Sequence, residues 1–134
     1  MIEIKFRLWD KEKNKFTRYI QDENLEVFRP YLHLTQGISF MRETKHGVEY
    51  YEDGHDIEDR FIIEQYTGLK DKNGKEIYEG DIIQYSSWKC SIEWDGFQWI
   101  SKVLEEKLSW RMDYVLKECM VIGNIHENPE FIKD

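Results

Sequence analysis

The sequence predicts a mainly β protein with at most short helices, organised in two parts, residues 1–64 and 65–134. Three observations carry that reading. Ile2, Ile4, Phe6 and Leu8 alternate with Glu3, Lys5 and Arg7, the period of a strand with one buried face. Aromatic residues reach 15% of the chain, a level that suits a ring-filled β core. Between Gln65 and Asp81 lies a dense block of turn chemistry, QYTGLKDKNGKEIYEGD, and the segments on either side of it read differently.

Taken in order, the opening strand places Trp9 on its polar side, where a neighbouring element can cover it. Asp10 to Lys15 is a charged turn, and Phe16 to Ile20 returns as the second arm of a hairpin. Pro30 and Gly37 then punctuate short pieces over Tyr31–Leu34, Ile38–Met41 and Val48–Tyr51. The run Glu52-Asp53-Gly54-His55-Asp56-Ile57-Glu58-Asp59 reads as a solvated acidic loop, and Phe61-Ile62-Ile63 starts the strand that enters the central block.

Within that block, Asn73-Gly74 is the strongest two-residue hairpin signal, because a type I′ turn needs positive φ at both central positions. Pairing around it would set Lys72 against Lys75 and Asp71 against Glu76. Like charges directly across a ladder destabilise it, so a tight, solvated connector is expected there. Glu79-Gly80-Asp81 makes a second turn, and Ile82-Ile83-Gln84-Tyr85 enters a strand. Turn geometry accounts for Gly68, Gly74 and Gly80; a phosphate cradle would need a Lys-Ser/Thr ending and a following helix.

Farther on, Cys90, Ile92 and Trp94 share one face, and Asp95-Gly96 reads as a two-residue turn. Trp94 would then sit opposite Phe97, Ile92 opposite Trp99, and Glu93 opposite Gln98. For residues 101–118, Leu104, Leu108, Met112 and Leu116 recur at helical spacing with Ser101 placed to cap them, while Trp110, Tyr114 and Val115 suit a strand. The expectation is a helical turn over Val103–Ser109 and a strand over Tyr114–Ile122. Met120-Val121-Ile122 is apolar on both faces, as in a central strand. Gly123 marks a bulge or close approach, and Asn128-Pro129 ends the last strand.

Three segments, IKFRLWDK near the start, TGLKDKNGKEIYEGDI in the middle and VIGNIHENPEF near the end, together resemble the YopX family of phage and prophage proteins. Trp9, Asp10, Tyr66, Gly68, Lys70, Asn73, Gly74, Tyr78, Gly80, Asp81, Gly123, Asn124, Asn128 and Pro129 carry the resemblance, and structural roles are expected for them. The chain departs from the pattern at His126, where Tyr is expected, and at Phe131, where Leu is expected. The resemblance implies a small phage-encoded protein with an N-terminal β region packed on a C-terminal SH3-like barrel. It brings no activity with it.

Composition narrows the function classes. Nineteen basic and 27 acidic residues leave a formal charge of −8, a field that repels phosphate backbones and disfavours nucleic acid as a partner. The first ten residues are charged throughout, unlike a signal peptide, and no apolar run is long enough to span a bilayer. A cytoplasmic location in the host cell is therefore expected, with Cys90 and Cys119 reduced and buried. With 2 prolines in the chain, the two parts are expected to be packed rather than flexibly linked.

Chemistry-bearing clusters are sparse. His33, His46, His55 and His126 lack the spacing of metal ligands, and the acidic stretch around His55 lacks that of an EF-hand loop. No metal, cofactor or catalytic residue is assigned. Trp88, Trp94, Trp99 and Trp110 are expected chiefly to pack in the core or an interface; exposed ones could meet a partner or, with a basic groove, stack bases, and Trp88 and Trp110 are the candidate partner surface. The expected function is non-enzymatic, acting by binding to a protein of unknown identity or to itself. A single-stranded nucleic-acid-binding module and a metal-dependent enzyme are the alternatives.

Overall fold

The computed structural model describes residues 5–18, 20–21, 27–33, 37–44, 47–51 and 60–132, with side chains placed over 5–18 and 60–132. It is mainly β, and its described residues divide into two compact units, Lys5–Ile63 and Glu64–Ile132.

In the first unit, β1 (Phe6–Asp10) and β2 (Lys15–Thr17) form the expected hairpin, with Trp9 opposite Phe16. Leu8 and Trp9 are both buried, so β1 is covered on both faces. Trp9 lies edge-on against the Phe16 ring at 4.9 Å, and Arg7 sits 4.2 Å from the centre of that ring. The charged turn is organised by a buried group. Asp10 Oδ1 accepts the backbone N–H of Glu12 and of Lys13, and both its oxygens meet Arg60 at 3.0 and 2.9 Å.

A second antiparallel sheet follows in the order β3 (Ile20–Gln21), β4 (Val27–His33), β5 (Gly37–Thr44) and β6 (Gly47–Tyr51). Pro30 lies inside β4, opposite Phe40, instead of interrupting it. The acidic run 52–59 lies outside the described residues.

β7 (Phe61–Lys70) leads into the second unit and pairs with β8 (Glu76–Tyr78). This hairpin corrects the expected connector. Its register sets Lys70 against Glu76 and Leu69 against Ile77, and Asp71–Lys75 form the loop. The shift replaces the like-charge rungs with an opposite-charge rung and sends Lys72 and Lys75 into solvent. Gly74 has φ +81°, whereas Asn73 does not have positive φ, so the turn is not type I′.

The remaining strands are β9 (Asp81–Tyr85), β10 (Trp88–Trp94), β11 (Trp99–Val103), β12 (Ser109–Arg111) and β13 (Met120–Asn124). They form one curled antiparallel sheet in the order β12-β11-β10-β9-β13. A single helical turn, α1 (Met112–Val115), links β12 to β13. Ile77, Ile83, Cys90, Ile92, Val103, Met112, Val115 and Cys119 form the core over which the sheet curls. Each fully buried aliphatic side chain there contributes about 1.5–3 kcal/mol.

Three local expectations are corrected here. The β10–β11 loop has four residues, Asp95–Gln98, so Trp94 faces Trp99, Ile92 faces Ser101 and Glu93 faces Ile100. The slip is of two residues, which preserves every side chain's face. Its cause is Asp95, whose Oδ1 accepts the N–H of both Phe97 and Gln98 at 2.8 Å and holds a longer turn than Asp-Gly alone requires.

Over residues 101–118 the expected helical turn is a non-helical turn between two strands, and the start of the expected strand, Tyr114–Val115, is helical, while Met120–Ile122 is strand as expected. Ser101 is buried in β11 and donates its hydroxyl to the Trp110 carbonyl, so it caps no helix. The Val103 N–H donates to the Leu108 carbonyl, closing a turn over the stretch expected to be helical. Tyr114 and Val115 are helical. Pairing with β11 outweighs the leucine spacing, a tertiary override of local preference.

Finally, β13 is an edge strand of its sheet, paired there only with β9, and Met120 is exposed. It ends at Asn124, before Asn128-Pro129. The register of β13 does shift between Val121 and Gly123, the expected bulge.

Candidate functional site

Of the residues that carry the family resemblance, Asp10, Asp81, Asn124 and Asn128 hold backbone turns by side-chain hydrogen bonds, and Thr67 and Asp71 beside them do the same. In β7, Gly68 sits at φ +85° where the pairing with β8 slips between Tyr66 and Leu69. The Thr67 hydroxyl fills the break: it donates to the Ile77 carbonyl at 2.7 Å and accepts the Leu69 N–H at 3.1 Å. Tyr66 and Tyr78 pack ring against ring at 5.4 Å. The Tyr78 N–H donates to the buried Asp81 carboxylate at 2.7 Å, bridging the Glu79-Gly80 turn.

Asp71, a residue of the same block, is buried at the base of its loop. Oδ1 accepts the N–H of Asn73 and of Lys75, and Oδ2 accepts that of Val121 in β13. Burial alone would raise the pKa of this carboxyl, but the three N–H donors hold it below the ordinary aspartate value. The loop also donates its Lys72 N–H to the Cys119 carbonyl. Together these bonds occupy polar groups beside the β13 edge, which would otherwise invite another strand.

Around Gly80 and Gly123 a polar cluster brings together residues far apart in sequence. Gly80, at φ +83°, donates to the Ile92 carbonyl and accepts the Ile125 N–H. A Cβ there would collide with the Glu64 carboxylate, whose Cδ would lie 2.9 Å away. Glu64 Oε2 lies 3.0 Å from His126 Nε2, and both side chains are largely buried. Gly123 abuts Asn128 in the same manner, with Cγ 2.7 Å from a Cβ position. Asn128 Oδ1 accepts the Asn124 N–H, while Asn124 Oδ1 accepts those of His126 and Glu127. Pro129 opens a 3₁₀ turn, Pro129–Phe131. Glu64 and His126, 62 positions apart, had no sequence signal joining them. Phe131, the other departure from the pattern, lies 5.8 Å from Lys89 Nζ.

The thiols of Cys90 and Cys119 are buried and free, and burial pushes each up to about 11. Among the described residues, no three His, Cys, Asp or Glu side chains converge as metal ligands. Side chains of His33, His46 and His55 fall outside the described set.

Trp88 and Trp110 are half-buried against the core. The exposed aromatics of the second unit are Trp94 (51%), Phe97 (91%) and Tyr114 (66%). Trp94 reaches water because it forms the last rung of the β10–β11 hairpin, where it meets Trp99 edge-on at 5.2 Å. An open groove of about 440 Å³ runs past it, lined by Thr67, Leu69, Trp94, Trp99, Met112 and the Arg111–Asp113 ion pair, whose closest contact is 2.6 Å. Arg111 also lies 5.5 Å from the Tyr114 ring. The Arg111 guanidinium lowers the Asp113 pKa, and the Gln98 and Phe97 N–H groups lower that of Asp95. Such a surface can receive an apolar or aromatic side chain beside a charge.

Among the described residues, no helix is long and apolar enough to cross a membrane. A family model described as YopX protein matches residues 5–133, and no curated protein matches the chain. Protein EF1440 from Enterococcus faecalis is similar in structure, with a TM-score of 0.62 and 26% identity over 99% of this chain and 100% of that one. Protein yopX from Bacillus subtilis shares the fold at a TM-score of 0.55, with 15% identity over 100% of this chain and 98% of its own. With the family pattern extending from the first hairpin to the final 3₁₀ turn, the chain belongs to the YopX family.

Proposed function

We propose that this is a phage- or prophage-encoded accessory protein of the host cytoplasm that acts by binding a protein, without catalysis. The observation that carries the reading is the aromatic face of the second unit, where Trp94, Phe97 and Tyr114 stand exposed near a groove floored by Leu69 and Met112. Exposed aromatics around a recess are the usual anchors of protein interfaces. Polar residues of the family pattern support it from the other side, since Asp81 and Asn124 accept backbone N–H groups, as their neighbour Asp71 does. The sheet order β13-β9-β10-β11-β12, with a helical turn before the last strand, supports an SH3-like barrel as the scaffold.

A protein partner is favoured over nucleic acid by the charge of −8 and by Arg111 being already paired with Asp113. The test is affinity capture from phage-infected cells with the wild-type chain and with Trp94→Ser, read by mass spectrometry. A protein retained by the first and lost by the second supports the proposal. Equal capture by both overturns it, as does a salt-dependent mobility shift with single-stranded DNA that the substitution abolishes.

A further inference from the structure

The tip of the β7–β8 loop carries a pair of residues that can react with each other. In Asn73-Gly74 the Gly74 backbone nitrogen can attack the Asn73 side-chain carbonyl carbon, because glycine puts no Cβ in the way of that approach. Asn73 and Gly74 are both exposed, and open space surrounds the position of a Gly74 Cβ. The Asn73 side chain makes no hydrogen bond to any described residue. Other described sites are closed to this chemistry. Asn124 is held by the N–H groups of His126 and Glu127, and Asn128 precedes Pro129, which has no N–H to give up. At Asp95-Gly96 the carboxylate accepts two N–H groups that keep it ionised, and an ionised carboxylate is a poor electrophile.

Three backbone N–H groups of the tip are tied to Asp71. Oδ1 accepts those of Asn73 and Lys75 at 2.9 Å, and the Asp71 carbonyl accepts that of Gly74 at 3.0 Å. The attacking nitrogen is thus occupied while the loop is closed, and reaction waits on local opening. We infer that Asn73 is a site of spontaneous deamidation, gated by Asp71, whose product slackens the tie between this loop and β13. The Gly74 nitrogen gives its proton to solvent base and bonds to Asn73 Cγ, and the side-chain nitrogen leaves as ammonia. Water then opens the five-membered imide at one of its two carbonyls. One opening leaves an aspartate, the other an isoaspartate whose backbone runs through Cβ and Cγ. The net change consumes one water and releases one ammonia, with nothing oxidised or reduced.

The extra backbone carbon falls between the two N–H groups that share Asp71 Oδ1. The new carboxylate stands near that of Asp71, with the exposed Lys72 and Lys75 as the other charges of the loop, and the two anions repel. Both changes weaken the grip of Asp71, whose Oδ2 holds the Val121 N–H, and with it the cover on the β13 edge.

Ageing the full chain in mildly alkaline buffer, with and without urea, tests the inference. The readouts are peptide mass mapping and methyl transfer from S-adenosylmethionine by an isoaspartyl methyltransferase. Modification is expected at Asn73 ahead of Asn14, Asn124 and Asn128, and at least about tenfold faster in urea, where the loop is always open. Asp71→Asn, shown by its melting curve to be folded, should react faster than the wild type. Asn73→Gln should stay unmodified, since its longer side chain closes the ring poorly. The aged wild type should melt at a lower temperature than fresh protein and than Asn73→Asp, which adds the charge without the extra carbon. Asn73 left intact in native protein while it is consumed in urea overturns the site. Equal rates for the wild type and Asp71→Asn overturn the gate, and an isoaspartate form that melts with fresh protein overturns the slackened tie.

Discussion

The carboxylate of Asp71 accepts the backbone N–H of Val121 at 2.9 Å across 50 positions of sequence, tying the β7–β8 loop to the edge strand β13. Removing it strands an N–H donor in a partly buried site. Asp71→Ala is expected to destabilise the protein by about 2–4 kcal/mol, and Asp71→Asn by less, since one amide oxygen remains for the loop. Urea titrations with unchanged m-values would check this; a loss below about 0.5 kcal/mol for Asp71→Ala would remove the strut from the account.

Acid should act through the same group and through Asp10. Both carboxyls have lowered folded-state pKa values, Asp10 chiefly through Arg60 and Asp71 through its three N–H donors against the opposing effect of burial. As pH falls the unfolded chain takes up protons first. Their stabilisation is therefore complete above the unfolded aspartate pKa and is lost as pH descends through the folded values, from about pH 5 downward. Melting temperatures recorded across that range should fall steeply for the wild type and less steeply for Asp10→Asn/Asp71→Asn. Parallel curves would contradict the assignment.

Gly80 combines a left-handed φ with a carboxylate lying where a Cβ would go. Gly80→Ala should cost about 2 kcal/mol or more, partly conformational and partly from displacing Glu64. The two contributions separate in a double-mutant cycle. With Glu64→Ala in place the collision is gone, so the alanine should cost less than in the wild type. Strict additivity would mean that the crowding has no energetic weight.

Both thiols, raised to about 11 by burial, should be inert in the native protein. At neutral pH about one part in ten thousand of each is thiolate, and access is closed as well. An aromatic disulfide reagent should label two thiols in urea and almost none without it. Rapid native labelling of Cys90 or Cys119 would show that the core around Ile92 and Val115 opens readily.

What the sequence made legible follows the reach of the signals. Alternation at Phe6–Leu8 and at Cys90–Ile92, and turn chemistry at Gly80, act over a few residues, and the strands and turns they imply are present. Register is set by finer competition. Asp95 captures two N–H groups and lengthens its turn by two residues, a preference that the Asp-Gly pair conceals. The leucine spacing over 104–116 mimics a helix because nothing local says that Ser101 and Val103 will be buried in a strand. The struts from Asp71 to Val121 and from Glu64 to His126 were invisible, since each joins residues fifty or more positions apart. The aromatic face was half visible: tryptophans stood out, but which of them face water depends on where the β10–β11 rung ends.

The position of β13 carries a kinetic consequence. Its ladder partner β9 begins at Asp81, whereas β13 begins at Met120. A nascent chain halted on the ribosome before Met120 would hold Ile82 and Ile83 along a strand with one side vacant, and Asp71 without its distant amide. The sheet can close only after late residues clear the exit tunnel. For a cell making many copies at once, that interval is when unfinished chains are most apt to pair with each other.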